Sequence, residues 1–142
     1  ASDVYKRQTP ITSSLAALDL FGAERIAVLT PYVDDVNAGI ARYLEDHGKS
    51  ISAFSSFKIV ENEIMALLTP QSIFNAALEA DRNDADALFI SCTAIRAVEV
   101  IDKIEQKLGK PVITAVQAMF WQSLRLAGFK GKISGYGQLM CL

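Results

Sequence analysis

The sequence predicts an α/β domain with a four-stranded, parallel, doubly wound sheet and helices on both faces. Four short apolar runs alternate with stretches of about ten to fifteen residues in which apolar positions recur at helical spacing. This alternation implies right-handed crossovers between parallel strands, and such crossovers place helices on both faces of the sheet. The 142 residues, 51% of them hydrophobic, are enough for one compact domain and too few for two.

The first eight residues do not fit this pattern. Residues 3–8 resemble the translated end sequence of a transposon that is used to prepare sequencing libraries. We therefore expect residues 1–8 to be a non-native tail, the chain to be a fragment, and the fold to begin at Thr9. An ordinary polar N-terminal tail is the alternative.

The first predicted helix begins at the Thr9–Pro10 pair and ends at Gly22. Thr9 can cap the helix, and proline is favoured at the first helical position because its missing N–H needs no partner there. Residues 25–29 form the first strand. The second helix ends at Gly48. Its apolar face consists of Val33, Val36, Ile40, Tyr43 and Leu44.

The remaining elements continue the alternation up to residue 131. They are a strand at residues 51–54, a helix at residues 70–80, a strand at residues 87–90, a helix directly after Cys92, a strand at residues 110–114 and a helix at about residues 117–126. The helix after Cys92 has an apolar face of Ile95, Val98, Ile101, Ile104 and Leu108. Residues 132–142 have no strong period, and we expect them to pack on a missing domain.

Three of the loops at the carboxyl ends of these strands carry polar side chains. Tyr32 follows the first strand, Asn62 follows the second, and Cys92 and Thr93 follow the third. Ligands of open α/β sheets bind outside these strand ends, where helix starts offer unpaired N–H groups. A phenol, a carboxamide, a thiol and such N–H groups can together hold a small carboxylate and move a proton at the neighbouring carbon.

Cys92 is the main candidate for a catalytic residue, because a helix start favours the thiolate form of a cysteine. The structural alternative is a small buried hydrophobic residue. Each of the other candidates also has a structural alternative. Tyr32 can half-bury its ring, Asn62 can cap a helix or a turn, and Thr93 can be an N-cap.

Charge and cysteine content argue against several classes of function. A net charge of −2 and a pI near 5.4 provide no basic surface for nucleic acid or an anionic membrane. Two widely spaced cysteines, Cys92 and Cys141, and the single histidine His47 indicate neither a disulfide framework nor a metal site. No apolar run approaches the roughly twenty residues of a membrane span, and residues 1–8 lack the apolar core of a signal peptide. We expect a cytoplasmic protein.

Four segments resemble the C-terminal half of the maleate cis-trans isomerases. They are residues 9–12, 26–32, 88–94 and 110–114, with the sequences TPIT, IAVLTPY, LFISCTA and KPVIT. The similarity extends to the arylmalonate decarboxylases and the ectoine-utilisation proteins, all within the aspartate/glutamate racemase superfamily. It covers nearly everything after Gln8, in order and with similar spacing.

The resemblance implies a cofactor-independent enzyme of two similar α/β domains, of which this chain is the second. Cys92 matches the second cysteine of the family, which handles a proton in the cleft between the domains. Tyr32 and Asn62 match residues that contact a substrate carboxylate, and the backbone at Thr93 and Ala94 would bind this carboxylate or its enediolate. The implied partners are a small carboxylate substrate, the missing N-terminal domain and further copies of the protein in a homo-oligomer.

Within this group the resemblance favours cis-trans isomerisation of a small unsaturated dicarboxylate, with the fragment alone inactive. Decarboxylation of a substituted malonate and racemisation of a small acid are alternatives. Ala94 stands where the amino-acid racemases have histidine, which weakens that alternative. Ala115 and Val116 stand where relatives tend to have a more polar pair. A non-catalytic, small-molecule-binding α/β domain is the alternative from another class.

Overall fold

The computed structural model describes residues 9–142 and confirms the predicted α/β class. The elements are α1 Pro10–Leu20, β1 Arg25–Thr30, α2 Asp34–Asp46, β2 Ser50–Ser56, α3 Asn62–Met65, α4 Pro70–Ala80, β3 Ala87–Ile90, α5 Ile101–Leu108, β4 Val112–Thr114 and α6 Ala115–Leu126. The strands form one parallel sheet in the order β2–β1–β3–β4. Within residues 9–142, every helix falls short of the length and apolar character that crossing a membrane requires.

The sheet separates two hydrophobic cores, because successive residues of a strand point to opposite faces. Ala27 and Leu29 of β1 belong to the core that α4 and α5 cover, whereas Ile26 and Val28 belong to the core that α1, α2 and α6 cover. Both faces of the central strands are therefore buried, as parallel sheets require. Since all strands run in one direction, the loops after β1, β2, β3 and β4 leave from the same edge of the sheet.

Threonine side chains determine where three of the helices begin. Thr9, Thr69 and Thr114 each accept a hydrogen bond from the backbone N–H three residues further along the chain. Such a cap satisfies one of the N–H groups that lack a partner in the first helical turn. The cap at Thr114 starts α6 at Ala115, two residues before the predicted start.

The prediction of a helix directly after Cys92 is wrong. Cys92 has a φ of 109°, which is incompatible with a helix, and the chain passes through an irregular loop before a 3₁₀ turn at Val98–Val100 and then α5. Ile95 is nevertheless buried and Val98 is partly buried against the core. Their spacing matches a helical face because both pack inward, although the backbone between them is not helical.

Residues 132–142 pack on this domain itself. Leu139 and Met140 are buried in a final 3₁₀ turn, and the side-chain amide of Gln117 donates to the carbonyl of Tyr136 at 2.6 Å. The expected packing of this segment on a missing domain concerns its outer side and stays a prediction. The expected non-native tail, residues 1–8, lies outside the described residues.

Candidate active site

A cavity of about 290 Å³ lies at the carboxyl ends of β1 and β3. Its polar lining comes from the loops that follow these two strands: Tyr32, Ser91, Cys92 and Thr93. Its apolar lining comes from α1, α2, β3 and the start of α6: Pro10, Ile11, Val36, Ile40, Phe89 and Ala115. The cavity therefore combines a few polar groups at one side with a largely apolar wall, as small-molecule sites commonly do.

At this cavity the backbone of Cys92 adopts an unfavourable conformation, with a φ of 109°. Its side chain is only 6% exposed, and its sulfur lies 4.0 Å from the Sδ atom of Met65 in α3. The backbone N–H of Ala94 donates to the Sγ atom of Cys92 at 3.2 Å. A positive φ is uncommon for a residue with a side chain, costs about 1–3 kcal/mol, and is concentrated at functional sites.

Tyr32 is half-buried, and its hydroxyl lies close to the side chains of Cys92 and Ser91. Burial raises the pKa of Tyr32 well above its ordinary value, and the neighbouring Cys92 thiol raises it further. The Ser91 hydroxyl acts weakly in the opposite direction. Tyr32 therefore stays protonated at neutral pH and can donate a hydrogen bond to a thiolate or to a carboxylate.

The structure brings some of the predicted site residues together and leaves one apart. Tyr32, Cys92 and Thr93 line the cavity, and the N–H of Ala94 points at the thiol. Thr93 is exposed and caps no helix, since none begins there. Asn62 is exposed at the start of α3 and does not line the cavity. Its contact with a substrate stays a prediction.

Because no helix begins at Cys92, the predicted stabilisation of its thiolate by a helix start is wrong. The helix that follows Cys92 begins only at Ile101, and within the loop it is the single N–H of Ala94 that reaches the sulfur. In place of a set of helical N–H groups, the thiol has one backbone donor and the hydroxyl of Tyr32. Both are local contacts that a pattern of apolar residues does not reveal.

Three further residues at this site were not singled out from the sequence. Ser91 is buried beside the Tyr32 hydroxyl, Met65 contacts the thiol, and Pro10 brings the start of α1 to the cavity. A signal was present for two of them, since Ser91 adjoins Cys92 and Pro10 lies within the TPIT segment. Met65 had none, because its contact with the thiol arises only from tertiary packing between residues far apart in the chain.

A metal site requires several ligating side chains that point to one position. Within residues 9–142, no group of three or more histidine, cysteine, aspartate or glutamate side chains is placed to hold a metal ion.

The family model of the arylmalonate decarboxylases matches residues 6–140. The chain belongs to the arylmalonate decarboxylase family. It is 32% identical over 134 residues to the arylmalonate decarboxylase of Bordetella bronchiseptica, in an alignment that covers 92% of this chain and 56% of that protein. It is 28% identical to the maleate isomerase of Nocardia farcinica, with 92% of this chain and 51% of that protein covered. The resemblance inferred from the four segments is confirmed.

Solved structures of an arylmalonate decarboxylase and of maleate isomerases share the fold. A maleate cis-trans isomerase from Nocardia farcinica with a covalently bound succinylcysteine intermediate superposes with a TM-score of 0.89 at 23% identity, covering 93% of this chain and 54% of that chain. The chain thus spans about half the length of the curated relatives that it matches. These relatives are enzymes named as a decarboxylase or as isomerases, so the family is one of enzymes.

Proposed function

We propose that this chain provides half of the active site of a cofactor-independent enzyme in which Cys92 moves a proton at a carbon atom beside a substrate carboxylate. The observation that carries the proposal is the position of the Cys92 thiol, which lies at a cavity between a backbone N–H donor and the protonated hydroxyl of Tyr32. This arrangement can supply a proton and stabilise the thiolate that remains.

The thiol of Cys92 gives its proton to the carbon of an enediolate or carbanion and becomes a thiolate. The N–H of Ala94, 3.2 Å from the sulfur, and the Tyr32 hydroxyl then donate hydrogen bonds to that thiolate. Thr93 lines the same cavity and offers its exposed side chain to a carboxylate of the substrate.

Cis-trans isomerisation of a small unsaturated dicarboxylate is the first candidate reaction, because maleate isomerases are among the relatives. A nucleophile adds to one carbon of the double bond while the Cys92 proton goes to the other, the new single bond rotates, and both steps reverse. The nucleophile would come from the missing domain. A covalent succinylcysteine in an isomerase of the same fold supports a cysteine in that role.

Decarboxylation of a substituted malonate is the second candidate, and the apolar cavity wall favours it. The substrate loses carbon dioxide, the electron pair of the broken bond stays on the carbon, and the Cys92 proton is added there. Maleate carries a charged group at each end, whereas a malonate with a hydrocarbon substituent can place that substituent against Val36, Ile40 and Phe89. The identity of 32% to the Bordetella decarboxylase points the same way.

Replacement of each cysteine in the full-length enzyme tests the proposal. Cys92→Ser should reduce turnover by roughly 10²-fold or more, since an alcohol is a much poorer acid than a thiol, while circular dichroism shows an unchanged fold. Cys141→Ser is the matched control, because the Cys141 sulfur contacts the carbonyl of Ile133 in the C-terminal segment and does not line the cavity. Assays with maleate and with an arylmalonate distinguish the two candidate reactions.

A Cys92→Ser enzyme that keeps most of its turnover would remove Cys92 from the mechanism and leave the non-catalytic binding domain as the better interpretation. The missing N-terminal domain, the homo-oligomeric state, the cytoplasmic location and the inactivity of the isolated fragment belong to the proposal as well. Expression of the chain with and without its upstream coding sequence tests the inactivity directly.

A further inference from the structure

Three side chains, one each from β1, α2 and β2, form hydrogen bonds with the backbone of Tyr32. The residue lies in the short connection between β1 and α2, outside the hydrogen bonding of either element. Its N–H donates to the Oγ1 atom of Thr30 at 3.2 Å. Its carbonyl accepts hydrogen bonds from the Nδ2 atom of Asn37, at 3.0 Å, and from the hydroxyl of Ser56. The direction of the Tyr32 side chain depends on these contacts.

Asn37 uses both ends of its carboxamide in this network. Its Oδ1 atom accepts from the Thr30 hydroxyl at 2.5 Å, and its Nδ2 atom donates to Tyr32. Thr30, Tyr32 and Asn37 thus form a closed ring of hydrogen bonds. Ionised aspartate can accept but cannot donate, so the ring requires a carboxamide at this position.

The burial of Asn37 runs against the hydrophobic pattern of α2. Asn37 is 8% exposed, whereas Val36, which the sequence assigns to the buried face, is 47% exposed and lines the cavity. Burying a polar group is unfavourable unless its hydrogen bonds are made, and the bonds that Asn37 makes are to Thr30 at the end of β1 and to Tyr32 in the loop that follows.

From these contacts we infer that Asn37 is a positioning residue for the reaction. It fixes the peptide group of Tyr32 so that the hydroxyl at the far end of the side chain faces Cys92. The inference rests on the proposed function, because it assigns Asn37 a part in the proton transfer only through Tyr32. Asn37 itself does not line the cavity that holds the Cys92 thiol.

A double-mutant cycle in the full-length enzyme tests the inference. Asn37→Asp and Tyr32→Phe should each lower kcat/KM by about tenfold. The double variant should be no worse than the more impaired single variant, because Asn37 acts through the hydroxyl that Tyr32→Phe removes. If Asn37→Asp does not fold, Thr30→Val breaks the same ring from its other side.

Glu105→Gln is the control for a purely structural effect. Glu105 is buried and accepts backbone hydrogen bonds from Val112 and Gln138, away from Tyr32. If Glu105→Gln lowers kcat/KM, it should lower it by the same factor in the parent enzyme and in the Tyr32→Phe enzyme. The alkylation rate of Cys92, measured in a Cys141→Ser background, gives a second readout that should show the same pattern.

The outcomes separate this inference from the proposed function. If the effects of Asn37→Asp and Tyr32→Phe multiply, or if Asn37→Asp has no effect, Asn37 does not act through Tyr32 and the inference is overturned while Cys92 keeps its role. If Cys92→Ser retains turnover, the proposed function itself fails. A fully masked Asn37→Asp effect in the Tyr32→Phe background supports the inference.

Discussion

At the scale of single residues, Cys92 combines a nucleophilic side chain with an unfavourable backbone conformation. Its φ of 109° lies in a region that glycine adopts easily and that other residues avoid. The preceding residue is anchored, because the N–H of Ser91 donates to the carbonyl of Leu29 at 3.0 Å. The sheet therefore holds the turn that presents the thiol to the cavity.

This strain predicts an unusual order of stability among variants of Cys92. At most positions alanine is more favourable than glycine, because glycine loses more backbone entropy on folding. Here Cys92→Gly should be at least as stable as Cys92→Ala, since relief of about 1–3 kcal/mol of strain offsets the entropic loss. Chemical denaturation of both variants measures the difference.

As a control, Ala38→Gly compares glycine with alanine at an exposed position inside α2 and should show the ordinary order, with glycine less stable. A Cys92→Gly variant that is less stable than Cys92→Ala by about 1 kcal/mol would mean that the turn after β3 carries no strain.

At the scale of elements, one carboxylate joins two strands at the amino edge of the sheet. Asp86 precedes β3, and its Oδ2 atom accepts hydrogen bonds from the backbone N–H groups of Glu24, at 3.0 Å, and Arg25, at 2.9 Å. Both bonds lower the pKa of Asp86 below its ordinary value, and the bond from Arg25 has the larger effect. The start of β1 is thus fixed beside the start of β3.

The lowered pKa of Asp86 gives a prediction for acid stability. Because the folded state favours the ionised form, the contribution of Asp86 is present above its unfolded pKa and is lost as the pH falls through its folded pKa, below about pH 4. Asp86→Asn should therefore lower Tm at pH 7, and its Tm should approach that of the parent chain at the acid end. Thermal unfolding between pH 2 and pH 7 measures this convergence.

Asp84→Asn makes the same change of charge two residues earlier, at an exposed carboxylate whose partner is the Arg25 guanidinium at 2.9 Å. Because exposed ion pairs contribute little, it should lower Tm at pH 7 less than Asp86→Asn does. Equal effects of the two substitutions would show that the backbone hydrogen bonds to Asp86 have no special importance.

At the scale of the whole molecule, large apolar side chains are exposed near the edge that carries the cavity. Leu67, in the connection after α3, is 74% exposed, and Phe120 of α6 is 56% exposed. Phe120 also lines a second, mainly apolar cavity of about 280 Å³, together with Val116 and Tyr136. Exposed apolar patches of this kind commonly mark interaction surfaces.

This surface predicts that the chain associates when it is expressed alone. Because the chain spans about half of its curated relatives, we expect light scattering to show self-association or a hydrophobic dye to bind. Phe120→Lys should reduce either signal. Leu20→Lys, a matched change at an exposed leucine at the other end of α1 from the cavity, should leave it unchanged. A monodisperse chain that binds no dye would indicate a complete domain.

The sequence by itself determined the order and type of most elements and the convergence of Tyr32 and Cys92. Short apolar runs and apolar residues at a period of 3.6 report which residues are buried, and Thr9 with Pro10 marks a helix start through local chemistry. Because parallel strands end at one edge, residues that follow β1 and β3 must lie at the same edge of the sheet, and the pairing of β1 with β3 in the structure makes them neighbours.

The tertiary structure alone decided the details of the site. The inward spacing of Ile95 and Val98 matches a helix, but the chain after Cys92 is irregular and the helix begins only at Ile101. One of the two buried residues of α2 is Asn37, whose partners Thr30 and Tyr32 lie at the end of β1 and in the loop that follows it. A hydrophobic pattern records burial, whereas backbone strain and closed rings of hydrogen bonds arise only when the chain is packed in three dimensions.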